Sequence, residues 1–295
     1  MPNGWIILDK PHGLGSTQGV AAVKRNLRQA GYSKVKVGHG GTLDPLATGV
    51  LPIGLGEATK LTGRMLDASK EYSFTIAFGA ETDTLDLEGK VVAQSDVQPT
   101  LAEIEAALPR FTGPISQVPP AYSAIMVDGE RAYDLARAGT EVELSARSVT
   151  IFDLRLLERS EGSVTLHAHV SKGTYIRSLA RDIAHALGTV GHVTMLRRTK
   201  AGPFGIEQAI SLDKLNELGK GAALEQILLP FEAGLDDIPA LTLDPEAARA
   251  VRQGRVLTGL AQGDGLYLAR EGIVPLALVQ LSGGNASVVR GFNLS

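Results

Sequence analysis

One stretch of the 295-residue chain gathers residues suited to chemistry: Gly38-His39-Gly40-Gly41-Thr42-Leu43-Asp44-Pro45-Leu46-Ala47-Thr48-Gly49-Val50-Leu51. Its glycines permit positive φ and close backbone approach, and they surround one carboxylate, Asp44. The proline that follows holds Asp44 to extended or turn geometry. On the residues alone, Asp44 is open to two readings, a turn starter or a catalytic carboxylate. The stretch is neither a G-x-x-x-x-G-K-[ST] phosphate loop nor a G-x-G-x-x-G dinucleotide fingerprint. The chain contains no cysteine, which excludes thiolate nucleophiles, cysteine-held zinc, iron–sulfur clusters and disulfides. His167 and His169 stand two apart on an expected strand and share a face. A third ligand at suitable spacing is missing, so no metal is expected there, and no cofactor motif is found.

The elements that must position these groups can be read from periodicity. Residues 4–9 (Gly-Trp-Ile-Ile-Leu-Asp) predict a short buried strand, and Thr17, ahead of Val20, Val23 and Leu27, predicts a capped amphipathic helix ending near Gly31. Residues 38–56 read as a glycine-rich loop. Residues 70–79 alternate, with Tyr72, Phe74, Ile76 and Phe78 on one face, and residues 91–93 are expected to pair with that strand. Helices are expected over 101–108, 130–138 and from about 176 to 187. Strands are expected over 149–157 and 164–170, joined at Glu161-Gly162. Residues 206–230 read as helices leading to a joint near Pro239. The last 57 residues read as small glycine-punctuated strands with one helix at 246–253. Strands and helices mix without regular alternation, so the expected class is α+β, a mainly antiparallel sheet flanked by helices. The division expected is a domain of residues 1–238 and a small appended module of residues 239–295.

Composition points to a folded protein, at 44% hydrophobic and 21% charged. No apolar run is long enough to span a bilayer, and the N-terminus does not read as a signal peptide, so a cytoplasmic location is the expectation. The net charge of −3 argues against a nucleic-acid partner only if it is taken whole. Residues 1–70 carry +5 and residues 161–205 carry +4, whereas 71–160 carry −8 and 206–295 carry −4. Lys24, Arg25, Arg28, Lys34 and Lys36 in one segment, with Lys172, Arg177, Arg181, Arg197, Arg198 and Lys200 in the other, would form an electropositive face if folding joined them.

The run from Gly38 to Leu51 resembles the catalytic loop of the TruB family of tRNA pseudouridine-55 synthases, in which the aspartate of G-x-L-D-P-x-A-x-G is catalytic. That residue maps onto Asp44. Five further blocks resemble the family in order and spacing: Leu8-Asp9-Lys10-Pro11; Lys70-Glu71-Tyr72 with Thr82-Asp83-Thr84-Leu85-Asp86; Gln117-Val118-Pro119-Pro120-Ala121-Tyr122-Ser123-Ala124; Ser171-Lys172-Gly173-Thr174-Tyr175-Ile176-Arg177-Ser178-Leu179; and Leu196-Arg197-Arg198-Thr199 with Gly202-Pro203-Phe204. Together they cover roughly residues 4–210. Residues 247–257 resemble, more loosely, the PUA RNA-binding module.

The resemblance implies the pseudouridine synthase fold with a C-terminal PUA-like module, and a reaction in which uridine of the TΨC arm of tRNA is isomerised without metal or cofactor. It implies Asp44, Tyr72 and Arg177 as catalytic residues. Arg177 would keep Asp44 ionised, Asp86 would hold the other side of that guanidinium, and Tyr72 would stack on the base near its C5 proton. His39 would fill the space left by the flipped nucleotide, Tyr175 and Leu196 would line the uracil pocket, and Lys10 and Lys172 would contact phosphate or sugar. A monomer with no membrane association and no obligate protein partner is expected. The competing readings are an RNA chaperone that refolds tRNA, a guide-RNA enzyme of the dyskerin type, and a glycosidase using Asp44 and Asp86.

Overall fold

The computed structural model describes residues 1–32, 34–218 and 226–294, which fall into two compact units. One comprises Met1–Asp44, Val50–Leu66 and Gly202–Ser295; the other comprises Pro45–Gly49 and Asp67–Ala201. The chain leaves the first unit at Asp44.

In the first unit, the apolar run after Gly4 forms the strand Gly4–Lys10, buried along nearly its whole length. It lies parallel to Ile210–Ser211, with Leu8 opposite Ile210. Trp5 is fully buried, its indole N–H donating to the Phe231 carbonyl (3.1 Å) and its ring 5.1 Å from that of Phe204. The helix Ser16–Gln29 turns Val20, Val23 and Leu27 inward, the spacing that predicted it. Thr17 does not cap it: Gly15 is the N-cap, and its N–H donates to Gln18 Oε1 (2.8 Å). Asn216, on the helix Leu212–Leu218, accepts from both Arg25 and Asn26 and so joins the two helices. Of the helices expected over 206–230, this one is seen, and residues 219–225 lie outside the described residues. The expected loop at 38–56 is shorter than its glycines suggested. Val37–His39 and Thr48–Leu55 are strands, paired antiparallel where they face, because the apolar run Val50–Leu55 is buried on both sides.

Residues 240–291 carry their own four-stranded sheet in the order Ala240–Thr242, Gly265–Glu271, Val274–Ser282, Asn285–Gly291. The helix Pro245–Arg252 packs on it, capped by Asp244, which accepts from the Glu246 and Ala247 N–H groups. Leu241, Val251, Val279 and Leu281 are in its core. It is tied to the rest of its unit by a Lys60 bond to the Gly291 carbonyl and by Phe292, which follows its last strand and packs against Phe231; just ahead of it, Asp237 is held by a two-pronged ion pair with Arg64.

The second unit is built on antiparallel strands in the order Gly191–Ala201, Lys70–Phe78, Ser163–Val170, Arg147–Ser160, Gly113–Gln117. Phe74, Ile76 and Phe78 alternate onto one face and pack with Leu179, Ala180 and Ile183 of the helix Ile176–Ala186, and with Ile104 of the helix Leu101–Ala107. The opposite face is polar: Thr75 and Thr165 hydroxyls meet at 2.9 Å, and His167 lies between Glu71 (3.2 Å) and Asp153 (3.3 Å). His169 stacks beside Phe152. Val91–Gln94 pairs with Ala80–Thr82 and not with Lys70–Phe78, whose two edges are already filled. Residues 130 and 131 pair with Met126–Val127 across an Asp128-Gly129 turn with both φ values positive, so the helix expected from 130 starts at Ala132. Thr48 and Gly49 lie parallel to Arg197 and Arg198. Gly49 is needed there, since its φ is +104° and a Cβ would fall about 2.1 Å from the Arg198 carbonyl oxygen.

Candidate active site

Asp44 is half-buried, and the residue before it is clamped. Leu43 is 4% exposed; its N–H donates to the Ser16 hydroxyl (2.8 Å), and that hydroxyl donates back to the Leu43 carbonyl (3.0 Å). Pro45 follows, so the backbone is constrained on both sides of the carboxylate. His39 ends the strand Val37–His39 opposite Ile53 and is half-buried. Next to it, the Gly40 N–H donates to the Pro52 carbonyl, and a Cβ at Gly40 would fall about 2.5 Å from that of Met65. Lys10 departs from its expected role. It is 0% exposed, and its ammonium donates to the Pro11 (3.1 Å) and Leu14 (2.6 Å) carbonyls, so it fastens a turn instead of presenting a charge to phosphate.

In the second unit, Tyr72 stands on Lys70–Phe78 between Ala168 and Arg198 in register. It is half-buried and packs, as Leu196 does, against the apolar core of that unit. Leu196 lies on the strand Gly191–Ala201, an element that the sequence reading passed over; its apolar residues are too interspersed with polar and basic ones to show a period. Tyr175 is the N-cap of the helix Ile176–Ala186, and its N–H donates to Gln117 Oε1 (2.8 Å).

Arg177, in the first turn of that helix, is 7% exposed. Its guanidinium donates to the Thr84 carbonyl (2.8 Å) and the Tyr122 carbonyl (3.0 Å), and Nη1 lies 3.4 Å from Asp86 Oδ2. Asp86 is thus within ion-pair distance of the guanidinium. Asp86 is itself fixed, accepting from the Thr84 hydroxyl (2.5 Å) and the Glu88 N–H (3.0 Å). Between Thr84 and Asp86, Leu85 adopts φ +63°, a left-handed conformation that costs a branched side chain about 1–2 kcal/mol. The turn is held there by Leu85 N–H to Thr82 carbonyl and Val193 N–H to Leu85 carbonyl bonds. Its effect is to aim a carbonyl and a carboxylate at one arginine.

Lys172 is exposed and pairs with Asp67 (2.9 Å); that hydrogen bond and the adjacent charge hold the Asp67 carboxyl below its ordinary value. Lys70, 8% exposed, was not singled out from sequence. Burial, reinforced by the charge of Arg198, pushes its ammonium down to about 8. Ser16 and Gln117 were also missed, since a serine and a glutamine carry no spacing signal of their own. Gln117 does begin one of the recognised blocks. Among the described residues, no group of three or more His, Asp or Glu side chains is arranged to hold a metal ion.

A family model described as the N-terminal domain of TruB family pseudouridylate synthase matches residues 25–176, and one described as the tRNA pseudouridylate synthase B C-terminal domain matches residues 177–236. The chain belongs to the TruB family of pseudouridylate synthases. It is 75% identical to tRNA pseudouridine synthase B of Novosphingobium aromaticivorans, across 100% of this chain and 98% of that one. It is 58% identical to the Zymomonas mobilis protein of the same name, across 99% and 96%. Among solved structures, it is similar to the protein in a crystal structure of a Cbf5-Nop10-Gar1 complex (TM-score 0.73, 28% identity, 98% of this chain and 85% of that one). A second is an H/ACA RNP bound to a substrate RNA containing 2'-deoxyuridine (TM-score 0.72, 27% identity, 99% and 85%). The fold is the pseudouridine synthase fold, a mixed sheet with helices plus a C-terminal sheet module. No helix among the described residues is long and apolar enough to cross a membrane.

Proposed function

We propose that this TruB-family chain isomerises uridine 55, in the TΨC arm of tRNA, to pseudouridine, acting as a monomer in the cytoplasm. The observation that carries the reading is the G-x-L-D-P loop, with Asp44 half-buried and Leu43 pinned to Ser16, in a chain whose full-length relatives bear the name tRNA pseudouridine synthase B. In the reaction, the N1–C1′ bond of the uridine breaks, the base rotates, and C5 bonds to C1′. C5 gives up its proton and N1 takes one, so the formula is unchanged. The target base must leave its stack, at a cost of a few kcal/mol that contacts to the splayed RNA offset.

Asp44 starts glycosidic cleavage. Arg177 is the cationic residue that acts with it, a reading that rests on the family resemblance; in its own unit the guanidinium is held by Asp86 and the Thr84 and Tyr122 carbonyls. Tyr72 stacks on the base and lies near the C5 proton, Tyr175 and Leu196 line the uracil, and His39 takes the place of the displaced nucleotide. Lys172 contacts RNA phosphate, for which its exposure suits it. Residues 1–238 form the catalytic domain, and residues 239–295 form a PUA-like RNA-binding module, a reading supported by their separate sheet and core.

The test is release of tritium from C5-labelled uridine in unmodified tRNA transcript, with the product position mapped. Release from uridine 55 alone, abolished in Asp44→Asn while tRNA binding persists, is expected. Tight binding without release, or full turnover by the variant, overturns the assignment.

A further inference from the structure

We propose that Ser16 is a positioning residue for Asp44, which deepens the reading above and rests on it. Three observations within one unit converge. Ser16 is 4% exposed, and its hydroxyl is used twice on a single residue, accepting from the Leu43 N–H and donating to the Leu43 carbonyl. Leu43 immediately precedes Asp44, so the pair of bonds ties the backbone on both sides of the Leu43 Cα, the carbonyl being that of the peptide bond to Asp44. Ser16 is in turn set by the turn before it, where the buried Lys10 ammonium gathers the Pro11 and Leu14 carbonyls. Serine is a favoured N-cap residue. Here Gly15 caps, and its N–H is satisfied by Gln18, leaving the Ser16 hydroxyl for the loop 27 residues away.

Small errors in the placement of a reacting group are expensive, and a shift of about 1 Å can lower a rate by about 100-fold. Removing the Ser16 hydroxyl leaves the Leu43 N–H and carbonyl without their partner in a buried place, and the loop must move to reach other ones. Affinity for tRNA, which is spread over many contacts, has no reason to follow.

The measurement is the single-turnover rate of tritium release at saturating tRNA, together with tRNA affinity and Tm, for Ser16→Ala, Ser16→Thr, Gln18→Ala and Asp44→Asn. For Ser16→Ala, a rate lower by about 10- to 100-fold with tRNA affinity within twofold is expected. Ser16→Thr keeps a hydroxyl and should recover most of the rate. Gln18→Ala loosens the same helix start without touching Leu43, and should match wild type in rate even if its Tm falls. An unaffected Ser16→Ala, or an equal rate loss in Gln18→Ala, overturns the proposal. Should Ser16→Ala fail to fold, Ser16→Cys takes its place: a thiol of similar size bonds more weakly, and a wild-type rate from it counts against the proposal. An active Asp44→Asn would sink the underlying assignment of Asp44 instead, so the two failures are distinguishable.

Discussion

Replacing Arg177 by lysine keeps the charge and removes the fork. The guanidinium serves two carbonyls with two different nitrogens, Nη1 to Thr84 and Nη2 to Tyr122, and lies 3.4 Å from Asp86, with the side chains of the ion pair only 8% and 10% exposed. One ammonium on a shorter reach cannot cover all three. At least one buried acceptor then loses its donor, a loss of about 1–3 kcal/mol. Arg177→Met also leaves Asp86 buried without a cation, for a loss of about 3–5 kcal/mol. The order expected is therefore wild type, then Lys about 2 kcal/mol below, then Met about 4 kcal/mol below. The lone tryptophan, Trp5, belongs to the other unit, so its fluorescence is the wrong probe. Denaturant unfolding should be followed by far-UV circular dichroism, with hydrogen exchange at the Leu85 and Val193 amides reporting the turn itself. Tritium release by Arg177→Lys should fall at least about 100-fold. Unfolding free energies within about 0.5 kcal/mol of wild type for both variants, or intact turnover by the lysine variant, would refute the claim that the fork geometry matters.

Two further outcomes are expected. Lys172→Ala should change stability by no more than about 1 kcal/mol, because its pair with Asp67 is exposed. It should weaken tRNA binding and reduce the slope of log affinity against log salt by about 1; an unchanged slope would remove Lys172 from the phosphate contacts. Lys70 titrates near 8 in the folded chain against 10.5 as the ordinary value, so the unfolded state holds more protons between those limits. Its contribution therefore makes stability rise as pH climbs from about 8 towards 10.5, with the full cost of the buried charge in place below 8. Tm against pH from 7.5 to 10 should be less steep for Lys70→Met than for wild type, and parallel curves would contradict the assignment.

Much of the local structure was legible because it rests on period and punctuation. The alternation Tyr72, Phe74, Ile76, Phe78 gave a strand with the correct inward face, and the turn at Glu161-Gly162 gave the hairpin of Arg147–Ser160 and Ser163–Val170. Where period was weak the reading failed. Gly191–Ala201 mixes Arg197, Arg198 and Lys200 with apolar residues, because a strand with neighbours on both edges and basic side chains along it has no clean alternation. Residues 38–56 looked like one loop because glycine usually marks turns, whereas Gly49 and Gly54 serve close backbone approach inside a strand. The partner of Val91–Gln94 was misjudged because strand pairing depends on which edges are open, and that is not a local property.

Sequence by itself determined the chemistry on offer: an aspartate in a G-x-L-D-P loop, no thiol, and five further blocks whose order and spacing marked the TruB family. It placed Asp86 beside Arg177 only through that resemblance, because two residues 91 apart have no local reason to meet. The tertiary structure decided the rest. It put Lys10 inside, fastening a turn; bent Leu85 into a left-handed conformation so that Thr84 and Asp86 face one guanidinium; and brought Ser16 to Leu43. The physical reason is the same in each case. Residue type states what a side chain can donate or accept, but which partner it takes, and whether water still competes for it, is fixed only when distant segments are buried together.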